Sequence, residues 1–211
     1  MKAMPLPYYD RLSKRDRAIY RQSASIGDVP LPDAGACRPL AKALREALEA
    51  GERTAVEKAA QRLVARIAHQ LQTEPVVVRV LARRPRSASA ELHGLYVREE
   101  GSPSVIQVWM RTAARKRVAS FRTFLRTLLH ELCHHLDYAH FALADSFHTE
   151  GFFRRESSLM RQLVPDGRAA RRAAPTDAPA VAPSQGGPSA APPGRRPGRR
   201  RGASKQMDLP F

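Results

Sequence analysis

Residues 120–139 read SFRTFLRTLLHELCHHLDYA, and everything else in the chain is arranged around how this stretch is interpreted. Phe121, Leu125, Leu128, Leu132 and Leu136 recur at helical spacing and mark one apolar face. Within the same helix lies His130-Glu131-Leu132-Cys133-His134. Each helical residue turns by about 100°, so two histidines four positions apart point within about 40° of each other and can reach one ion. The leucine stripe falls nearly opposite them. Such a helix packs on a core below and presents two imidazoles and Glu131 to a cleft above.

Zinc suits this donor set. It accepts neutral imidazole nitrogen in a roughly tetrahedral shell, and a catalytic site uses three protein ligands and leaves one position to water. Glu131 is then the candidate general base for a water whose pKa the ion lowers. The third ligand has several candidates. His148 follows a loop, where a returning chain brings it over the cleft. His140 has the metzincin spacing, but Asp137 stands where that pattern has glycine. Glu150, Glu156 and Asp145 are acidic alternatives. Asp137 lies three residues past His134 on the same face, placed to accept a ring N–H and orient a ligand, or else to be a solvated charge near a helix end. His135 points about 100° away and reads as a packing or surface histidine, and Cys133 as a small buried residue. His69 and His93 have no supporting pattern.

Working outward from the motif, residues 149–164 read as a closing helix that buries Phe152, Phe153, Leu159, Met160 and Leu163. Upstream, residues 76–81, 91–98 and 104–110 are strand candidates rich in Val, Ile, Tyr or Trp, close enough together to suggest a small meander. Residues 38–50 and 54–72 carry two further helical patterns, with Gly51 as a stop signal between them. Helices, a three-stranded sheet, the motif helix and a closing helix make an α+β domain.

These motifs resemble the SprT-like metallopeptidases, the group of Spartan-type DNA-protein crosslink proteases. The likeness rests on His130-Glu131-Leu132-Cys133-His134, on His148 followed by Gly151 and Phe152, and on the order of elements over residues 38–164. It implies a zincin-like fold, Zn2+ held by His130, His134 and His148, Glu131 as the catalytic acid/base, and a protein or peptide substrate. The chain departs from the pattern in two ways. Thr149 and Glu150 stand between the third histidine and the glycine, and the cysteine-rich ribbon of some members is missing. In zincins a sheet edge beside the motif helix pairs with extended substrate, and residues 105–110 are the candidate for that edge. Any DNA contact falls to basic residues, Arg154, Arg155 and Arg161 among them, although arginines on a helix read first as a solvated face.

Residues 1–36 form an N-terminal arm with a short helical candidate near residues 9–23 and an extended Pro-rich segment, expected to lie across the surface of a domain at residues 37–165. In the arm Tyr8, Tyr9 and Tyr20 alternate with arginine and lysine. That mixture suits either stacking on single-stranded nucleic acid or docking of the arm by its aromatics. Residues 166–211 are dominated by Ala, Pro, Gly and Arg, a composition that cannot repay chain entropy by burial and predicts a disordered tail.

The formal charge is +16, with 36 basic and 20 acidic residues, which favours polyanionic partners such as nucleic acid or acidic proteins. Part of it sits in the tail, where nine basic residues face three aspartates. The cluster at residues 195–201, with Lys205, suits phosphate contacts, or serves only to solubilise. The final six residues, Gln206-Met207-Asp208-Leu209-Pro210-Phe211, resemble the peptides that dock on bacterial sliding clamps, with Gln206, Leu209 and Phe211 as the pocket-filling residues. They also resemble the acidic tip of single-stranded-DNA-binding proteins. Two distant cysteines argue against a disulfide framework, and the absence of a long apolar stretch against a signal peptide or membrane span, so the expected compartment is the cytoplasm.

The sequence thus predicts a zinc endopeptidase, with DNA-associated proteins as a candidate substrate class. The competing reading is a non-catalytic zinc- or nucleic-acid-binding module whose basic tail does the work.

Overall fold

The computed structural model describes residues 9–82, 94–111 and 118–165. The tail, with residues 195–201, Gln206, Leu209 and Phe211, lies outside them, as do Tyr8, His93 and the start of the second strand candidate.

Among the described residues there are five α-helices and one three-stranded sheet: α1 (Lys14–Ser25), α2 (Ala34–Ala50), α3 (Arg53–Gln70), β1 (Val77–Leu81), β2 (Gly94–Val97), β3 (Val105–Trp109), α4 (Phe121–Ala139) and α5 (Glu150–Leu163). The class is mixed α+β. Among the described residues no helix is long and apolar enough to cross a membrane.

Helix starts follow local chemistry. Ser13, Asp33, Ser120 and Thr149 each accept a backbone N–H from the first turn of α1, α2, α4 and α5, satisfying donors that have no partner inside the helix. Asp33 explains why α2 begins four residues before the expected position; the helix runs on through Pro39. A boundary after residue 36 therefore falls inside a helix. Gly51 ends α2 at φ 77°, the left-handed geometry in which glycine avoids a Cβ clash.

The sheet is not a meander. Its order is β1-β3-β2, with β3 parallel to β1 and antiparallel to β2. Two local features frame the sheet, and the pairing of β3 rather than β2 with the inner side of β1 sets the order. Residues 98–104 are short enough to make β2 and β3 a hairpin, with Gly101 at φ 76° in the turn. The outer side of β1 is meanwhile already occupied by α3. Gln61 Oε1 and Glu57 Oε2 accept from the backbone N–H groups of Val78 and Val80 at 2.7 and 2.8 Å, while Gln61 and Arg53 donate to the carbonyls of Val76 and Val80. Residues 105–110 therefore do not supply a free edge. Among the described residues the open edge belongs to β2.

The core is continuous. Leu125, Leu128, Leu132 and Leu136 of α4 are fully buried in one cluster with Val78, Val80, Ile106 and Val108 of the sheet, and α4 itself packs on α2, α5, β2 and β3. The N-terminal arm is part of this core rather than a surface strap. Val29 and Leu31 are buried in it. Gln162 of α5 treats the extended segment as a strand, accepting from Leu31 N–H at 2.9 Å and donating to Val29 C=O at 2.8 Å. Tyr20 is buried against Tyr9 and Phe147, so it docks the arm.

Candidate metal centre

The leucine face of α4 fixes which way its other face points. Arg122, Arg126, His130, His134 and Tyr138, each one helical turn apart, all line a cleft of about 870 Å³ whose other wall is β2, at Gly94, Leu95 and Tyr96. The loop after α4 returns His148 to the same place. Its Nε2 stands 3.0 Å from His130 Nε2 and 3.1 Å from His134 Nε2.

These three nitrogens form the one cluster of metal-capable donors found among the described residues. The competing ligands go elsewhere. Asp137 is still helical, so the chain does not turn there, and His140 caps the end of α4 against Phe141. Asp145 accepts from Tyr138 Oη–H and Ser146 N–H. Glu150 pairs with Arg154.

The donor set fits a tetrahedral cation. Zinc to imidazole bonds of about 2.0–2.1 Å place two nitrogens about 3.4 Å apart in such a shell, close to the spacings found. The ring tautomers are also set for it. His130 Nδ1–H donates to Glu156 Oε2 at 3.1 Å, and His134 Nδ1–H donates to Ser146 Oγ at 2.7 Å, whose own proton goes to Asp137 Oδ2 at 2.7 Å. With Nδ1 protonated, the Nε2 atoms of His130 and His134 are lone-pair acceptors facing each other, an arrangement that a cation between them stabilises.

Asp137 thus orients His134 through Ser146, not by direct contact, and Glu156 orients His130 rather than acting as a ligand itself. Sequence offered no signal for Ser146, a loop residue defined only by what it touches. Arg155 reverses its expected role. It is fully buried and donates to Asp137, to Ser23 Oγ and to the carbonyls of Ser23 and Ile26, and so is closed to any nucleic acid. His135 is buried, its Nε2–H donating to the Glu74 carbonyl, and Cys133 is buried too.

Glu131 lines the cleft beside the histidines. Burial raises its pKa to about 7, opposed by the neighbouring His130 and by the backbone N–H of Tyr96, which donates to it. Burial also drives the His134 pKa down to about 3, assisted by the other two histidines and Arg155, and lowers that of His148. Both shifts favour the neutral ring, the state that binds a metal. Gly94 makes room for the carboxylate: a Cβ there would meet Glu131 Oε1 at 2.3 Å. Sequence gave no reason to single out that glycine.

No known family model, no curated protein and no solved structure matches this chain, so its reading rests on its own residues and their geometry.

Proposed function

We propose that the protein is a zinc-dependent endopeptidase of the SprT-like type, built on a zincin-like fold. The observation that carries the reading is the convergence of three histidine nitrogens at 3.0–3.1 Å on the floor of a cleft that also holds Glu131. Zinc held by His130, His134 and His148 would supply a Lewis acid for a peptide carbonyl and acidify a water. Glu131, beside the histidines, would take a proton from the attacking water and return it to the departing amine. Tyr96 N–H and the absent side chain at Gly94 hold the carboxylate at the level of the histidines. The open edge of β2 pairs with extended substrate backbone, which favours unfolded segments over particular sequences.

In this reading the basic cluster at residues 195–201 with Lys205, and Gln206, Leu209 and Phe211, supply recruitment to protein on DNA rather than chemistry. Tethering raises local concentration without altering the site.

The test is metal analysis together with casein cleavage for wild type and Glu131→Gln. Stoichiometric zinc in both, with cleavage by wild type alone, is the expected result. Zinc without cleavage in either would leave a binding module. Loss of pull-down of sliding clamp on deleting residues 206–211, with proteolysis retained, is the expected outcome for recruitment.

A further inference from the structure

The cleft extends beyond the histidines toward the start of α4, and its chemistry changes there. From His134 the ridge of α4 runs back through His130 to Arg126 and then Arg122, both of which line the cavity. Successive ridge positions are about 6 Å apart along the helix. Extended peptide places side chains on one face every 6.6–6.8 Å or so. A substrate whose carbonyl sits at the histidines therefore brings a side chain one or two residues away to Arg126, and another further on toward Arg122.

Acidic groups lining the cavity are already engaged. Glu131 is the base, and Glu156 is divided between two partners, Oε2 to His130 and Oε1 to Arg126 Nη1 at 2.8 Å. That ion pair fixes the guanidinium in place using one of its five N–H donors, and the side chain remains 56% exposed. A positioned, partly exposed guanidinium is suited to a carboxylate, for which it offers paired donors in one plane.

We infer that this end of the cleft binds an acidic side chain of the substrate, aspartate or glutamate, within about two residues of the cleaved bond, with Arg126 as its principal partner and Arg122 adding field. The inference rests on the cleft being a peptide site. Placement inside a cavity beside the histidines favours a side-chain carboxylate over a nucleic-acid backbone.

Two measurements on the full chain test it. First, matched peptides bearing Glu or Gln at each position around the cleaved bond are compared with zinc-loaded wild type. At one position the acidic peptide should be preferred roughly 10- to 100-fold in kcat/KM, and the acid-to-amide ratio should fall toward one in Arg126→Gln and Arg122→Glu. Second, the same labelled peptides are titrated onto Glu131→Gln protein, where anisotropy should show tighter binding of the acidic member and loss of that difference when either arginine is also replaced. Equal cleavage and equal binding of acidic and amide peptides overturns the subsite and leaves the peptidase standing. Absence of cleavage with an arginine-dependent acidic preference in binding removes the peptidase and keeps the subsite. Displacement of neither peptide selectively, with arginine-dependent competition by a short single-stranded oligonucleotide, reassigns the arginines to phosphate and overturns the inference.

Discussion

Arg155 and Asp137 form a 2.7 Å ion pair in which both side chains are fully buried. Arg155 also holds the C-terminal carbonyls of α1, while Asp137 holds Ser146 and through it the ring of His134. One histidine of the candidate metal centre is thus connected to the N-terminal arm by a continuous set of hydrogen bonds. Burial pushes the Asp137 carboxyl upward, and Arg155 and Ser146 oppose the shift. The carboxylate depends on those two partners for its charge.

Removing one member of this pair strands the other away from water. Arg155→Met should destabilise the protein by about 3–5 kcal/mol in chemical denaturation. Asp137→Leu combined with it should cost less than the sum of the two single changes, because no orphan charge is left. Asp137→Asn, which keeps the shape but weakens the hold on Ser146, should lower zinc affinity about 10- to 100-fold in competition with a chromophoric chelator. An unchanged affinity would show that His134 needs no help in holding its orientation.

Gly94→Ala tests the wall opposite α4. Its Cβ would overlap Glu131 Oε1, so the carboxylate must swing away from the histidines. We expect kcat to fall at least tenfold while zinc content stays stoichiometric, an effect of misplacing a proton acceptor rather than losing the ion. Loss of zinc along with activity would instead mean that the strand had moved.

Glu131 gives the metal-free protein a pH signature. Its folded pKa, about 7, lies above the ordinary 4.5, so its protonated form contributes stability that is fully present below pH 4.5 and is lost as pH rises through 7. Glu131→Gln mimics the protonated state. Metal-free Glu131→Gln should therefore melt higher than metal-free wild type at pH 8, by an amount on the order of 1–3 kcal/mol, with the two curves converging near pH 4.5. Parallel melting curves across that range would place the carboxylate in water.

The sequence alone determined the elements that local periodicity controls. Helix α4 and its division into a leucine face and a histidine face were legible because spacing of four residues fixes direction on a helix whatever surrounds it. The strands at 77–81 and 105–109, the closing helix and the return of His148 to the two motif histidines were legible for similar reasons of pattern and order. Tertiary structure decided what depends on partners distant in sequence. β3 rather than β2 pairs with β1, while Gln61 and Glu57 of α3 occupy the outer side of β1, so the open edge passed to β2. Arg155 became a buried strut because Ser23, 132 positions earlier, and Asp137, 18 earlier, meet around it. Ser146 and Glu156 orient His134 and His130 only because loop and helix return to α4. Periodicity encodes which way a side chain faces, but the identity of what it faces is set when the chain closes on itself.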